Sequence, residues 1–155
     1  MEDTKHKALY LRAILNAACN ARCYFCHEEG AEQGQSLNAD LLLKAAEDTS
    51  KLGFKRIKYT GGEPLLRKDI ATNTKGIKNV DPEIEISMTT NGIRLIETID
   101  DLAEAGLDRF NVSLHSLDPE NYKRITGVDK LETVLDGIEY SIANTDARIK
   151  VNMTI

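Results

Sequence analysis

The chain has no tryptophan, and aromatic residues make up only 5% of its 155 positions. Its core must therefore come mainly from aliphatic side chains. Proline occurs three times, and no low-complexity linker divides the chain. One domain over residues 1–155 is expected at this length. No apolar run approaches the roughly 20 residues a membrane span needs, so no membrane association is expected. Met1 to Lys7 lead into no long apolar segment, so no secretory signal is expected either. Cysteine is scarce and odd in number: Cys19, Cys23 and Cys26 are all there are. That count argues against a disulfide framework and for a reducing, cytoplasmic setting. A net charge of −5 gives no support for a broad nucleic-acid surface, although local basic clusters could hold one anion.

What is present alternates between strand and helix patterns. Strands are expected at 8–16, 56–60, 84–89, 109–113 and 148–155. A helix is expected over 38–52, with Leu41, Leu42, Ala45, Ala46, Thr49 and Leu52 at helical spacing and Gly53 as its left-handed cap. A weaker helix is expected over 68–78, where Thr72, Asn73, Thr74 and Gly76 are poor formers. Ile96, Ile99, Leu102 and Ala103 mark another, ended by Gly106. Leu131, Val134, Leu135, Ile138 and Ile142 form the clearest stripe. The run Lys51-Leu52-Gly53-Phe54-Lys55-Arg56-Ile57 is echoed by Glu104-Ala105-Gly106-Leu107-Asp108-Arg109-Phe110. Such repeated β/α units imply an α/β fold, a parallel sheet with outer helices. About five units predict a partial, open barrel of TIM-like type.

The unusual polar residues follow the strands. Cys19, Cys23 and Cys26 follow the first, Gly61-Gly62-Glu63-Pro64 the second, Thr89-Thr90-Asn91-Gly92 the third and Ser113-Leu114-His115-Ser116 the fourth. Lys150 and Asn152 lie on the fifth. Strand C-termini of barrel-like α/β proteins share one face, where active sites sit, so these motifs should converge. Bland readings stand beside the functional ones. Gly61-Gly62 and Asn91-Gly92 could be simple turns, and His115 a structural histidine. Lys55, Arg56, Lys58, Arg67 and Lys68 could be a solvated basic face. Arg12 could pair with a carboxylate, and Met88 and Met153 read as core. Glu28 and Glu29 read as surface charge.

The C-x3-C-x2-C spacing itself admits three readings. Three thiolates could hold a [4Fe–4S] cluster with one iron open to a small-molecule chelator. His27 could complete a Cys3His zinc site, although its adjacency to Cys26 strains tetrahedral closure. Cys23-Tyr24-Phe25-Cys26-His27 also spells the c-type haem attachment pattern, but leaves Cys19 unused.

Taken with Leu11-Arg12, Thr60 to Arg67, Thr89 to Gly92, Ala105 to Arg109, Asn111 to Leu117 and Ile125-Thr126-Gly127, this loop resembles the radical S-adenosylmethionine (SAM) superfamily. Within it the motifs resemble the GTP 3′,8-cyclase family of molybdenum cofactor biosynthesis, in its archaeal form. The resemblance implies that Cys19, Cys23 and Cys26 bind a [4Fe–4S] cluster and that SAM chelates its open iron. It implies SAM contacts at Phe25, Gly61, Gly62, Glu63 and Ser113, with Glu63 accepting from the ammonium and the glycines allowing close approach. It implies GTP as substrate, contacted by Arg12, Lys58, Thr89 and Lys150, together with an electron donor and a second copy of the chain in a homodimer. No catalytic residue beyond the cluster is assigned. There is no G-x-x-x-x-G-K-[ST] loop, so fixed cations would have to hold a triphosphate. The family also carries a sixth strand and a C-terminal region with a second cluster that binds guanine. Neither is found here, so the chain is expected to be the N-terminal part of such an enzyme and not to cyclise GTP alone. Ala17-Ala18 replaces a pair that is usually polar or basic in the family. A non-catalytic cluster- or zinc-binding module is the alternative reading.

Overall fold

Each of the first four strands is followed by helix that returns the chain to start the next strand alongside the last. In the computed structural model, which describes residues 9–26 and 36–153, the elements are β1 (Leu11–Ile14), α1 (Ala39–Lys51), β2 (Arg56–Thr60), α2 (Ile70–Val80), β3 (Glu85–Thr90), α3 (Leu95–Glu104), β4 (Arg109–Ser113), α4 (Pro119–Thr126), α5 (Leu131–Asn144) and β5 (Arg148–Asn152). A short 3-10 turn, Pro64–Leu66, follows β2. The strands pair in parallel in the order β1-β2-β3-β4-β5. The sheet is open, as five β/α units require, because β1 and β5 do not meet.

Register and pleat divide the sheet into two unlike faces. One face carries Ala13, Leu15, Ile57, Tyr59, Ile86, Met88, Phe110 and Val112, all buried under the helices. Leu42 and Ala46 of α1, Ile70 and Ile77 of α2, Ile99 and Leu102 of α3, and Val134 and Ile138 of α5 cover it. The other face is polar. Arg12, Lys58, Ser87, Arg109 and Arg148 lie across it in one row. Thr89, Asn111 and Lys150 form the next row towards the strand C-termini.

The helix stripes differ in detail from the periodicity. Leu41, Leu52, Ile96 and Ile142 are exposed; on α3 Leu95 joins the expected Ile99 and Leu102 in the core. On α5 the buried face runs through Gly137 and Ser141. A Cβ at Gly137 would lie 2.9 Å from the Leu95 Cβ, so a close α3–α5 approach selects that face. The poor formers of α2 have the same origin. Asn73 and Thr74 are buried, and Gly76 sits against the Leu43 side chain, where a Cβ would lie 2.8 Å from Cδ2. Met153 is 50% exposed, not core. β1 and β5 are shorter than expected; residue 8 and residues 154–155 lie outside the described residues.

The periodicity did not reveal α4. Its signals are local: Asp118 caps the N-terminus by accepting from the Asn121 N–H at 2.8 Å, Pro119 follows, and Gly127 ends the helix at φ 71°. Among the described residues no helix is long and apolar enough to cross a membrane.

Phe110, on β4, is fully buried. Phe110→Ala should destabilise the fold by about 3–5 kcal/mol, read as a lower urea midpoint with unchanged m-value. A smaller loss would show that the helix layer collapses to fill the gap.

Candidate active site

The cysteine loop leaves β1 at Asn16, and Ser36 bridges back to that residue in antiparallel fashion. Arg67 closes this base. Its Nη1 donates to the carbonyls of Leu15 (3.0 Å) and Leu37 (2.6 Å), one on each side of the excursion. Its Nε and Nη2 form a fork on the Asp69 carboxylate. The Arg67 side chain is only 7% exposed, so it does not belong to a solvated basic face. The guanidinium holds the Asp69 carboxyl down at about 2.

Gly61 and Gly62 pack against the same base. Gly61 has φ 140°, and a Cβ there would lie 2.5 Å from the Asn16 carbonyl oxygen; at Gly62 it would strike the Ala17 and Ala18 carbonyls. The close approach that demands glycine is thus to the chain's own cysteine loop. Three further bonds seal the contact: Gly62 N–H to Asn16 O (2.8 Å), Glu63 N–H to Ala18 O (2.7 Å) and Asn16 Nδ2 to Glu63 O (3.0 Å).

Glu63 is 1% exposed, and its carboxylate points inward. Oε1 accepts from the Leu65 N–H (2.9 Å) and the Thr90 hydroxyl (2.7 Å), and Oε2 accepts from the Asn91 N–H (2.7 Å). These donors counter the burial that pushes its pKa up. Glu63 therefore ties the turn after β2 to the turn after β3. In this arrangement its carboxylate is engaged by Leu65, Thr90 and Asn91.

Asn91 carries that tie to the cysteines. Its Nδ2 donates to Asn20 Oδ1 at 2.7 Å and lies 3.8 Å from Cys19 Sγ. The Ala21 N–H also donates to Cys19 Sγ, at 3.5 Å. Burial pushes the Cys19 and Cys23 thiols up, and each is raised further by charge on neighbouring cysteines. A cationic partner would offset that burial and mutual repulsion. Among the described residues no three Cys, His, Asp or Glu side chains gather around one ion position. His27, the fourth ligand of the zinc reading, lies outside those residues, as do Glu28 and Glu29. A [4Fe–4S] cluster asks less of the loop, because each thiolate binds a different iron.

The other expected residues gather at the same mouth. Ser113 ends β4. His115 follows in a left-handed conformation, φ 66°, found at no other non-glycine residue among those described. Its ring meets Phe25 of the cysteine loop edge-on, centroids 4.7 Å apart. Arg12, Lys58, Thr89 and Lys150 all lie on the polar sheet face. Arg12 Nε donates to Thr60 Oγ1 at 3.3 Å. Asn16 Oδ1, Thr89 Oγ1 and His115 Nδ1 are buried without a hydrogen-bond partner among the described residues. Orphaned polar atoms at one mouth are what a bound polar ligand would satisfy. Asn16, Arg67 and Asn91 had no functional reading in the sequence; the Asn-Gly pair signalled only a turn.

Glu63→Gln keeps the shape but turns an NH2 towards one of three donors. It should cost about 1–3 kcal/mol in chemical denaturation and loosen Cys19; unchanged stability would show that the strut is dispensable. Asp69 gives a pH prediction. Its folded pKa lies below the ordinary value of 3.8, so its contribution is complete above about pH 4 and is lost as pH falls towards about 2. Asp69→Asn should therefore flatten the acid limb of the stability profile, and an unaltered limb would remove Asp69 from the account.

The sequence family described as the Radical SAM superfamily matches residues 14–155. A probable GTP 3′,8-cyclase of Thermococcus kodakarensis is 50% identical over 147 residues, 94% of this chain and 47% of that protein. One from Methanococcus maripaludis is 43% identical over 155 residues, 98% of this chain and 52% of that protein. The chain thus spans about half the length of the curated relatives it matches. Among solved structures, Streptococcus suis SuiB bound to its precursor peptide SuiA superposes with a TM-score of 0.80 at 22% identity, over 94% of this chain and 32% of SuiB. That likeness shows the shared fold. The cysteine loop, the glycine turn packed on its base and the strand-end mouth together accord with the family match: the chain belongs to the radical SAM superfamily, with a [4Fe–4S] cluster and S-adenosylmethionine as its cofactors.

Proposed function

We propose that this chain is the cofactor-cleaving N-terminal half of a GTP 3′,8-cyclase in molybdenum cofactor biosynthesis. The observation that carries the reading is convergence. The cysteine loop, the Gly61-Gly62 turn, Asn91 and Ser113 to His115 meet at one mouth, directly above a sheet face rich in cations. When bound, the cluster and S-adenosylmethionine supply one-electron cleavage of the sulfonium, with the electron coming from a separate donor.

The chain's residues then have separable tasks. Cys19, Cys23 and Cys26 would hold the cluster. Hydrogen bonds to the Cys19 sulfur from Ala21 and Asn91 would temper its charge. Phe25, Gly61, Gly62 and Ser113 would border the nucleoside and methionine ends of the cofactor. Glu63 would act through the turn it fixes.

On the sheet face, Arg12 and Lys58 are adjacent in one row, and Lys150 lies in the next. Their charges suit a nucleoside triphosphate, for which Lys58 and Lys150 act as point charges. They stand out in a chain whose net charge is −5. Thr89, whose buried hydroxyl lacks a partner among the described residues, supports a ligand contact beside them. The product would be 3′,8-cyclo-7,8-dihydroguanosine triphosphate, formed by joining ribose to guanine C8.

Anaerobic reconstitution with iron and sulfide should give a reducible cluster whose EPR signal shifts on adding S-adenosylmethionine. Reduction should then release 5′-deoxyadenosine. Cys26→Ala should abolish the cluster. Stoichiometric zinc with no cluster would refute the proposal, and full iron retention by Cys26→Ala would refute the ligand set.

A further inference from the structure

We propose that Gly127, at the end of α4, is a positioning residue for Cys23. Its purpose rests on the cofactor reading above; its geometry does not. The Arg22 N–H donates to the Thr126 carbonyl at 2.8 Å, and the Tyr24 N–H donates to the Ile125 carbonyl at 3.1 Å. These two bonds flank Cys23 on either side. They use carbonyls of the last turn of α4, which a helix end leaves without intrahelical partners.

Gly127 makes the contact possible. It stands at φ 71° with its N–H on the Lys123 carbonyl at 2.9 Å. A Cβ there would lie 2.9 Å from the Arg22 carbonyl oxygen and 3.0 Å from the Arg22 Cβ. The cysteine-loop backbone occupies the space a side chain would take. The β4–α4 connection also supplies His115, which meets the Phe25 ring. Cys19, in contrast, is bonded to Ala21 and Asn91. The ligand set therefore hangs from two different supports: Cys19 from the turn after β3, and Cys23 from α4.

Gly53 provides the control. It also follows a helix in the left-handed region, φ 84°, but a Cβ there meets nothing within 4 Å. Gly53→Ala and Gly127→Ala thus carry similar backbone strain, and only the second collides with the loop. Gly127→Asn keeps the collision while tolerating the left-handed conformation better, so it serves if the alanine variant folds poorly. The three cysteines are the only ones in the chain. Alkylation of the apo chain with iodoacetamide at fixed pH therefore reads this loop alone. Trypsin, cutting after Arg22, separates Cys19 from the other two, and chymotrypsin, cutting after Tyr24 or Phe25, separates Cys23 from Cys26.

Gly127→Ala and Gly127→Asn should accelerate alkylation at Cys23 several-fold while Cys19 stays at the wild-type rate. Gly53→Ala should alter neither. After reconstitution, the Gly127 variants should lose iron on gel filtration and broaden the cluster's EPR signal, and Gly53→Ala should not. Equal Cys23 rates in the Gly127 and Gly53 variants would overturn the proposal. A wild-type chain that binds no cluster would overturn the cofactor reading instead, while the alkylation rates would still decide the role of Gly127.

Discussion

A carboxylate sealed from water must be matched by donors, and Glu63 finds three within 2.9 Å. Two come from the β3 turn and one from the turn that Glu63 itself begins. Its backbone reaches the other way, to Ala18 and the Asn16 side chain. One residue thereby locks together the loops after β1, β2 and β3. Asn91, whose N–H ends on Glu63, presents its amide to Asn20 and Cys19. The position of the first cysteine is thus inherited from a buried charge two loops away. In such a buried network each lost donor is costly.

The sheet sets the stage for that lock. Parallel sheets usually bury both faces and read as continuous apolar runs. Here the strands alternate, because helices cover only one face and the other lines an open half-barrel. Glu85 pairs with Arg109 at 3.2 Å and Arg148 at 3.1 Å near the N-terminal end of this face. Arg12 and Lys58 share the row of Arg109 and Arg148, and Thr89 and Lys150 lie one row nearer the mouth. Glu85 thus neutralises part of the cationic row from within the face. The cysteine loop, which follows β1, sits over the strand C-terminal end of the same face.

Much of this was legible in the sequence because strand-end motifs of a parallel α/β fold must converge. The cysteine spacing, the Gly-Gly-Glu-Pro turn and the five strands needed no tertiary information. The departures have a common cause in tertiary contact. Arg67 looks like a surface charge until its partners, far apart in sequence, come together. Gly61 and Gly62 indicate a close approach, but only the fold shows that the approaching group is the cysteine loop. α4 escaped the periodicity because only Tyr122 and Thr126 of its eight residues are buried. Its caps carried the signal instead. Ile142 and Met153 were misplaced because hydrophobicity alone does not say which side of a helix or strand meets the core.

The central claim is that Cys19, Cys23 and Cys26 bind three irons of a cluster and leave the fourth for S-adenosylmethionine. Mössbauer spectroscopy of the chain reconstituted with 57Fe tests this most directly. The account predicts that S-adenosylmethionine shifts one iron subsite of the four and leaves the other three unchanged. A spectrum that stays the same on adding it would contradict the account.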